Sequence, residues 1–308
     1  MKGIYSFRVK DRNLVYDISV GRNITIINDE SATGKSELVR LISRYIRLGV
    51  GSGVFIEGNC NVIAITYDTS ITTEFFSKPN TVFIVDEEVN AVTTKEFAEV
   101  LKETGAYVIL INREKIPTLP YSIQEIYGVH KSGKYHTLYK LYKDYYSNND
   151  IVTRVLTEDG KSSYYALRRV YDSLEVSSAK GNSNICKMIM DGDLVFVDGA
   201  AFGPYVKAVI ELLRFMRFTV LLPESFEHIL IERHLIELFK EDYRKAMSKD
   251  FDYKDYFSYE QFATSIVESV FTMGEQYSKS RDLKLYSSND FKHKFRDYLE
   301  EVKMTGHC

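Results

Sequence analysis

Residues 23–42 combine an apolar run, a polar loop and an amphipathic stretch, in that order. Residues 23–28 have the composition of a buried β-strand, and residues 37–42 place apolar side chains at helical spacing. The loop between them, residues 29–36, ends in Gly34, Lys35 and Ser36, which fit the last three positions of the phosphate-binding pattern GxxxxGK[ST]. A strand, a loop and a helix in this order predict an α/β fold with a phosphate site between strand and helix.

The residue types of this loop match the chemistry of a nucleotide with Mg²⁺. A lysine at position 35 reaches β- and γ-phosphates, Ser36 offers a hydroxyl to Mg²⁺, and the helix N-terminus presents free N–H groups to the anion. The predicted cofactors are therefore ATP and Mg²⁺. The residues predicted to bind them are Asp29, Ser31, Ala32, Thr33, Gly34, Lys35, Ser36 and Asp86.

Asp29 departs from the pattern, because it stands where the first glycine is expected. Aspartate tolerates left-handed backbone geometry better than most residues, so the turn is compatible with it. Its carboxylate, with that of Glu30, adds negative charge beside the phosphates and costs roughly 1 kcal/mol or more unless metal or solvent screens it. Nucleotide binding is the preferred interpretation, and a vestigial loop is the alternative.

A second strand signal follows at residues 81–85, which are apolar and lead into Asp86 and Glu87. An acid at this strand end can hold Mg²⁺ through water, and Glu87 is the predicted catalytic base that polarises the attacking water. One more buried strand, residues 107–111, ends in Asn112 and Arg113, which we interpret as a strand-ending turn or as a phosphate contact. Residues 125–142 predict a β-hairpin.

Together these residues resemble the ATP-binding-cassette-like branch of phosphate-loop ATPases, over about residues 1–145. The resemblance implies that Lys35, Ser36, Asp86 and Glu87 serve at the nucleotide. The interval between Ser36 and Val82 is too short for the helical subdomain of that branch, and its serine-glycine signature is absent from the sequence. The chain therefore resembles a reduced version, in which dimer-driven hydrolysis is not expected and ATPase activity is weak or absent.

The second half repeats the sequence of strand, acid and helix. A predicted strand at residues 151–157 leads into Glu158, Asp159 and Gly160, and a strongly apolar strand at residues 194–197 ends in Asp198. A further strand is predicted at residues 218–222. Acids at the ends of such strands indicate a metal site. The alternative is an α/β layer without a site, in which Asp198 only ends a strand.

This arrangement is similar to a TOPRIM domain, the metal-dependent fold of topoisomerases, primases and OLD-family nucleases. The acid-glycine pair is Asp159 with Gly160, or Glu158 one residue earlier, and Asp198 with Gly203 matches Asp-x-Asp-x-x-Gly except that the middle acid is Ala200. The metal residues implied are Glu158, Asp159 and Asp198, in addition to Ser36 and Asp86 of the first half. Loss of an acid weakens Mg²⁺ binding, so a degenerate TOPRIM-like domain is expected.

Length and composition favour two domains in a cytoplasmic protein. The 308 residues include 44% hydrophobic and 27% charged side chains, and neither a membrane-spanning run nor a signal-peptide core is found in the sequence. Three widely spaced cysteines, at positions 60, 186 and 308, lack metal-type spacing. The predicted boundaries are a phosphate-loop domain at 1–147, a TOPRIM-like domain at 151–235 and a helical extension at 236–308, in which residues 236–239 continue a helix from Phe226.

Three functions follow from these observations. The first is an ATP-binding protein whose TOPRIM-like domain recognises a partner, and the resemblance to OLD-type proteins implies phage defence or a mobile element. The second is a Mg²⁺-dependent nuclease using Glu158 or Asp159 with Asp198 and Glu224. The third is a non-catalytic interaction protein. The net charge of −3 gives no support to nucleic acid as a partner, whereas a protein partner or a homo-oligomer fits all three.

Overall fold

The computed structural model describes residues 2–28, 34–67, 69, 71–249 and 251–306. The described chain forms two compact units. The first comprises residues within 1–142 and 250–257, and the second comprises residues within 143–249 and 258–308. Each unit combines a sheet containing parallel strands with helices, which confirms the α/β class predicted from the sequence.

The first unit contains a sheet of nine strands among its described residues, in the order β4-β1-β2-β9-β8-β3-β7-β6-β5. Three of them, β3, β6 and β7, are buried along their whole length, as expected for strands covered on both faces. The strands are β1 (Tyr5–Lys10), β2 (Val15–Val20), β3 (Ile24–Ile27), β4 (Phe55–Gly58), β5 (Asn61–Ile65), β6 (Thr81–Val85), β7 (Tyr107–Ile111), β8 (Ile126–Ser132) and β9 (Tyr135–Lys140).

The direction of the strands divides this sheet into two parts. Strands β5, β6, β7, β3 and β8 run parallel to one another, so that their carboxyl ends share one edge. Strands β1, β2 and β4 pair antiparallel, and β9 joins them to the parallel part. The predicted hairpin is confirmed, because β8 and β9 pair antiparallel from Tyr127 opposite Lys140 to Ser132 opposite Tyr135.

Local sequence signals explain where the helices of the first unit begin and end. The side chains of Thr72 and Thr94 accept hydrogen bonds from the backbone and cap two of them, and Gly105 ends one with a left-handed φ of 58°. The helices are α1 (Lys35–Leu48), α2 (Thr73–Phe76) and α3 (Lys95–Thr104). Residues from the 250–257 segment pack here too, with the Tyr253 ring 5.6 Å from that of Tyr107.

The second unit has a sheet in the order β10-β14-β13-β11-β12, where the last four strands are parallel. Its strands are β10 (Tyr145–Ser147), β11 (Arg154–Thr157), β12 (Glu175–Ser178), β13 (Asp193–Phe196) and β14 (Thr219–Leu221). The first parallel strand, β11, lies between β12 and β13, so the chain passes from β11 to β12 on one side and then crosses back to β13 on the other. Such a reversal of strand order opens a crevice at the carboxyl ends of the central strands.

Seven helices and a short hairpin complete the described part of the second unit. They are α4 (Ser162–Val170), α5 (Ile185–Met188), α6 (Gly203–Leu212), α7 (Phe226–Glu232), α8 (Lys240–Ser248), α9 (Tyr259–Glu268), β15 (Phe271–Thr272), β16 (Glu275–Gln276) and α10 (Asn289–Gly306). The predicted continuation of the Phe226 helix through residues 236–239 is wrong. His234 adopts a left-handed φ of 50° and the Leu235 N–H bonds the Leu230 carbonyl, which ends the helix. No helix in the described residues is long and apolar enough to cross a membrane.

Candidate functional sites

The start of α1 carries the described part of the phosphate-binding pattern. Gly34 precedes the helix with φ of 93° and ψ of 8°, and Lys35 and Ser36 form its first turn. Lys35 is buried at 6% exposure, whereas Ser36 is exposed. Of the residues predicted to bind nucleotide, Asp29, Ser31, Ala32 and Thr33 lie outside the described residues.

Two aromatic side chains hold Gly34 in place. The Tyr16 hydroxyl donates a hydrogen bond to the Gly34 carbonyl at 2.9 Å, and the His136 ring stacks on Tyr16 with centroids 4.5 Å apart. Tyr16 is on β2 and His136 is on β9, which are paired strands. Burial, followed by the charges of Glu37 and Asp11, raises the pKa of Tyr16 to about 12, so its hydroxyl remains a donor. The two rings therefore fix the turn into α1.

Asp86 follows β6 at the edge where the parallel strands end. Its N–H donates to the Ile65 carbonyl, and its Oδ1 accepts from the Glu87 N–H at 2.8 Å. Its side chain is half-buried, and this burial raises the pKa of the carboxyl, with smaller contributions from Glu88 and Glu87. A carboxyl that water solvates poorly gains from a bound cation, so this environment suits a metal ligand.

The neighbouring strand β7 lies between β3 and β6, and its end contributes Asn112 and Arg113 to the same edge. The Asn112 N–H donates to the Ile27 carbonyl, and the Arg113 Nε lies 3.1 Å from the Glu87 Oε1. The predicted base Glu87 is therefore exposed and ion-paired. The sheet topology thus places the start of α1, Asn112, Arg113 and Asp86 at one edge. From the sequence, only the position of each residue at the end of its own strand could be predicted.

In the second unit, the structure brings the three predicted metal residues to one pocket at the reversal of strand order. Glu158 and Asp159 follow β11, and Asp198 follows β13. These two strands pair directly in parallel, so the acids lie side by side at their ends. The residues lining the pocket are Glu158, Asp159, Lys161, Ser162, Ser163, Phe196, Asp198, Glu260 and Lys279.

Burial and neighbouring charges perturb two of the predicted acids, Asp198 and Glu158. Asp198 accepts a hydrogen bond from the Phe226 N–H at 2.9 Å through Oδ1, and burial together with the charges of Glu260, Glu227 and Glu158 raises its pKa. Burial, and then Glu260 and Asp159, raises the pKa of Glu158 to about 8. The surroundings thus disfavour a full set of negative charges in the absence of a cation.

The Asp159 carboxylate interacts with Lys161 in its own loop. Its Oδ1 accepts from the Lys161 N–H at 3.0 Å, and its Oδ2 lies 3.1 Å from the Lys161 Nζ. Ala200, which replaces the middle acid of the TOPRIM-like pattern, is 2% exposed, and its N–H bonds the Glu224 carbonyl. Glu224 pairs with Lys249 at 2.9 Å and does not line the pocket.

Sequence reasoning missed three charged residues of this site. Glu260, in the first turn of α9, and Lys279, after β16, line the pocket, and Glu227, in the first turn of α7, is fully buried beside Lys279. An acid in an otherwise apolar helix was a signal for Glu227, but Lys279 had no local signal. Among the described side chains, no group of three or more histidine, cysteine or acidic residues is arranged to hold a metal ion.

Comparison with known proteins adds no assignment to either site. No protein-family model matches the chain, and no curated protein matches it significantly.

Proposed function

We propose that the first unit binds a nucleoside triphosphate, ATP being the expected one, together with Mg²⁺. The observation that carries the proposal is the shared edge of the sheet. There, Gly34, Lys35 and Ser36 open α1 while Asp86 ends β6, with β7 between the two strands. A helix N-terminus with a lysine and a hydroxyl, opposite an acid at a strand end, is the arrangement that a metal-bound polyphosphate needs.

Each residue has a distinct role in this proposal. The Lys35 ammonium contacts the terminal phosphates, and the backbone N–H groups of the first turn of α1 face the anion. Ser36, whose side chain is exposed, and Asp86, whose carboxyl is half-buried, provide oxygen atoms of the kind that Mg²⁺ prefers. Mg²⁺ would neutralise phosphate charge and offset the repulsion expected from the acids of the loop.

Hydrolysis is proposed to be weak or absent. Glu87 would have to orient the attacking water, yet its Oε1 is engaged by the Arg113 guanidinium at 3.1 Å. A carboxylate held by a guanidinium group is poorly placed to orient an attacking water as well. Binding without efficient turnover suits a protein in which nucleotide occupancy controls recognition of a partner by the second unit.

We extend the proposal to the second unit as a degenerate TOPRIM-like domain in a cytoplasmic OLD-type protein. Support comes from the parallel order β14-β13-β11-β12 and from the acids at the ends of β11 and β13. A role in phage defence or in a mobile element rests on fold-level analogy, which assigns no chemistry by itself.

Thermal unfolding with and without ATP and Mg²⁺ tests nucleotide binding. At a ligand concentration about 100 times Kd, binding adds about 2.7 kcal/mol to the free energy of unfolding. We expect Lys35→Ala to abolish this stabilisation and Ser36→Ala to reduce its Mg²⁺-dependent part. Lys131→Ala, which removes an exposed lysine of β8, is the matched control and should respond like the wild type. No stabilisation of the wild type at millimolar ATP and Mg²⁺ contradicts the proposal.

The pocket of the second unit favours one alternative, a Mg²⁺-dependent nuclease, because it gathers Glu158, Asp159 and Asp198. The same pocket contains Lys279, whose positive charge competes with a metal ion for the acids. Incubation of supercoiled plasmid with Mn²⁺ distinguishes these alternatives. Cleavage that is lost in Asp198→Asn supports the nuclease, whereas intact plasmid supports a non-catalytic pocket.

A further inference from the structure

Lys279 lies among the acids of the second-unit pocket. Its Nζ is 2.6 Å from Oε1 of Glu260 and 3.6 Å from Oε1 of Glu227. Its side chain is only 23% exposed, so solvent screens these contacts weakly. Burial opposes the charge of Lys279, but Glu227, Glu260 and Asp198 outweigh it and raise its pKa. The lysine is therefore a fixed ammonium ion at neutral pH.

Glu227 supplies independent evidence that the pocket requires a cation. Its side chain is fully buried, and its Oε1 accepts a hydrogen bond from the Tyr277 hydroxyl at 2.7 Å. Within the described residues, its Oε2 has no hydrogen-bond partner, and its carboxylate forms an ion pair with Lys279. A buried carboxylate with an unsatisfied oxygen is costly unless a positive charge lies close by.

The acids outnumber the positive charge available to them. Glu227 and Glu260 both pair with Lys279, and Glu158 and Asp198 lie in the same pocket. The other lysine of the pocket, Lys161, is exposed and pairs with Asp159. The two acids in contact with Lys279 thus share one ammonium ion.

We propose that Lys279 is a built-in counter-ion of this pocket, whose ammonium group pairs with Glu260 and Glu227 and supplies the positive charge that a divalent cation would otherwise bring. The wild-type pocket consequently excludes Mg²⁺ and Mn²⁺, and removal of the Lys279 charge converts it into a site for one divalent cation. This inference rests on the second unit alone and is independent of nucleotide binding.

The physical reason for the conversion is charge balance. In Lys279→Met, a side chain of similar length keeps the packing but leaves the acids without their ammonium ion. A divalent cation replaces that charge, and carboxylate oxygens are its preferred ligands. Lys279→Arg retains the charge and keeps the pocket closed to metal.

Mn²⁺ binding, followed by electron paramagnetic resonance on the full chain without nucleotide, tests the proposal. We expect no saturable binding by the wild type at millimolar Mn²⁺. Lys279→Met should bind Mn²⁺ at least about tenfold more tightly, since the affinity of oxygen-ligand sites varies over orders of magnitude with ligand charge. Lys279→Arg should match the wild type. Lys161→Met is the matched control, because it removes the other lysine of the pocket, and it should also match the wild type.

Defined outcomes overturn the proposal. The first is Mn²⁺ binding by the wild type that Asp198→Asn abolishes. The second is an affinity of Lys279→Met for Mn²⁺ that equals that of the wild type. The third is a gain in Mn²⁺ affinity in Lys161→Met or Lys279→Arg as large as that in Lys279→Met. If Lys279→Met does not fold in metal-free buffer, refolding with Mn²⁺ is decisive, and recovery supports the counter-ion role. Lys279→Gln, a second neutral variant with a polar side chain, should also bind Mn²⁺ once folded. Failure of both variants to fold or to bind with Mn²⁺ refutes the proposal.

Discussion

Replacement of Gly34 by alanine tests the packing at the start of α1. Gly34 has a φ of 93°, in the left-handed region that side chains with Cβ rarely adopt. A Cβ at this position would lie 2.8 Å from the Tyr16 hydroxyl oxygen and 3.2 Å from the His136 Nε2. Tyr16 is 3% exposed and its hydroxyl is bonded to the Gly34 carbonyl, so it has little room to retreat.

The expected destabilisation has two parts. Left-handed geometry costs alanine about 1–2 kcal/mol. Displacing Tyr16 costs about 1 kcal/mol more through the lost hydrogen bond. We therefore expect Gly34→Ala to lower the free energy of unfolding of the first unit by about 2–3 kcal/mol.

Gly133 provides the matched control. It also has a left-handed φ, of 61°, but nothing lies within 4 Å of a Cβ there. Gly133→Ala should therefore cost only the backbone part, about 1–2 kcal/mol. Tyr16→Phe removes the clashing oxygen. In that background, Gly34→Ala should cost about 1 kcal/mol less than in the wild type, while the His136 contact at 3.2 Å remains.

Hydrogen exchange followed by mass spectrometry is a suitable assay, because it reports the opening free energy of peptides from each unit separately. The double-mutant cycle of Gly34→Ala and Tyr16→Phe should give a coupling energy of about 1 kcal/mol. Equal costs for Gly34→Ala and Gly133→Ala, or additive effects of Gly34→Ala and Tyr16→Phe, would refute the packing argument.

Two further predictions concern charges in the sheets. Asp193 is fully buried and forms two hydrogen bonds with Arg154 on the adjacent strand, so Asp193→Asn should lower the free energy of unfolding by about 3–5 kcal/mol. Asp17→Asn, at the exposed pair with Arg8, is the control and should cost less than about 1 kcal/mol. Hydrogen exchange measures both changes. For Glu158, burial raises the pKa from 4.5 to about 8, so the folded protein retains a proton that the unfolded chain releases above pH 4.5. The free energy of unfolding should therefore decrease as pH rises from 4.5 to about 8, by at most about 1.4 kcal/mol per pH unit from Glu158. In urea unfolding across this pH range, Glu158→Gln should make the free energy of unfolding less dependent on pH. An unchanged slope would contradict the prediction.

The sequence predicted the strands well where burial left a continuous apolar signal. Residues 81–85 and 107–111 form β6 and β7 as predicted, and residues 218–222 contain β14. The strand predicted at residues 151–157 is paired only from Arg154, and before it the Thr153 N–H and hydroxyl donate to the Gly192 carbonyl in a loop. Strand content is local information, which a window of residues carries.

Strand order is non-local and could not be predicted in this way. The insertion of β7 between β3 and β6 brings the end of a third strand beside α1, and no window of sequence contains that pairing. The end of α7 was missed for another reason. His234, a residue without a strong helix-breaking signal, takes the left-handed conformation that glycine usually provides.

The acidic pocket shows how far a motif can define a site. The acids after β11 and β13 were visible because each follows an apolar strand, and the sheet then brings them together. The cation that balances them comes from residue 279, far along the chain and outside any regular element. A motif shows which acids follow a strand, whereas the chemistry of the pocket also depends on the positive charge of Lys279. Since Lys279 lies 2.6 Å from Glu260, the function of this pocket cannot be inferred from its acids alone.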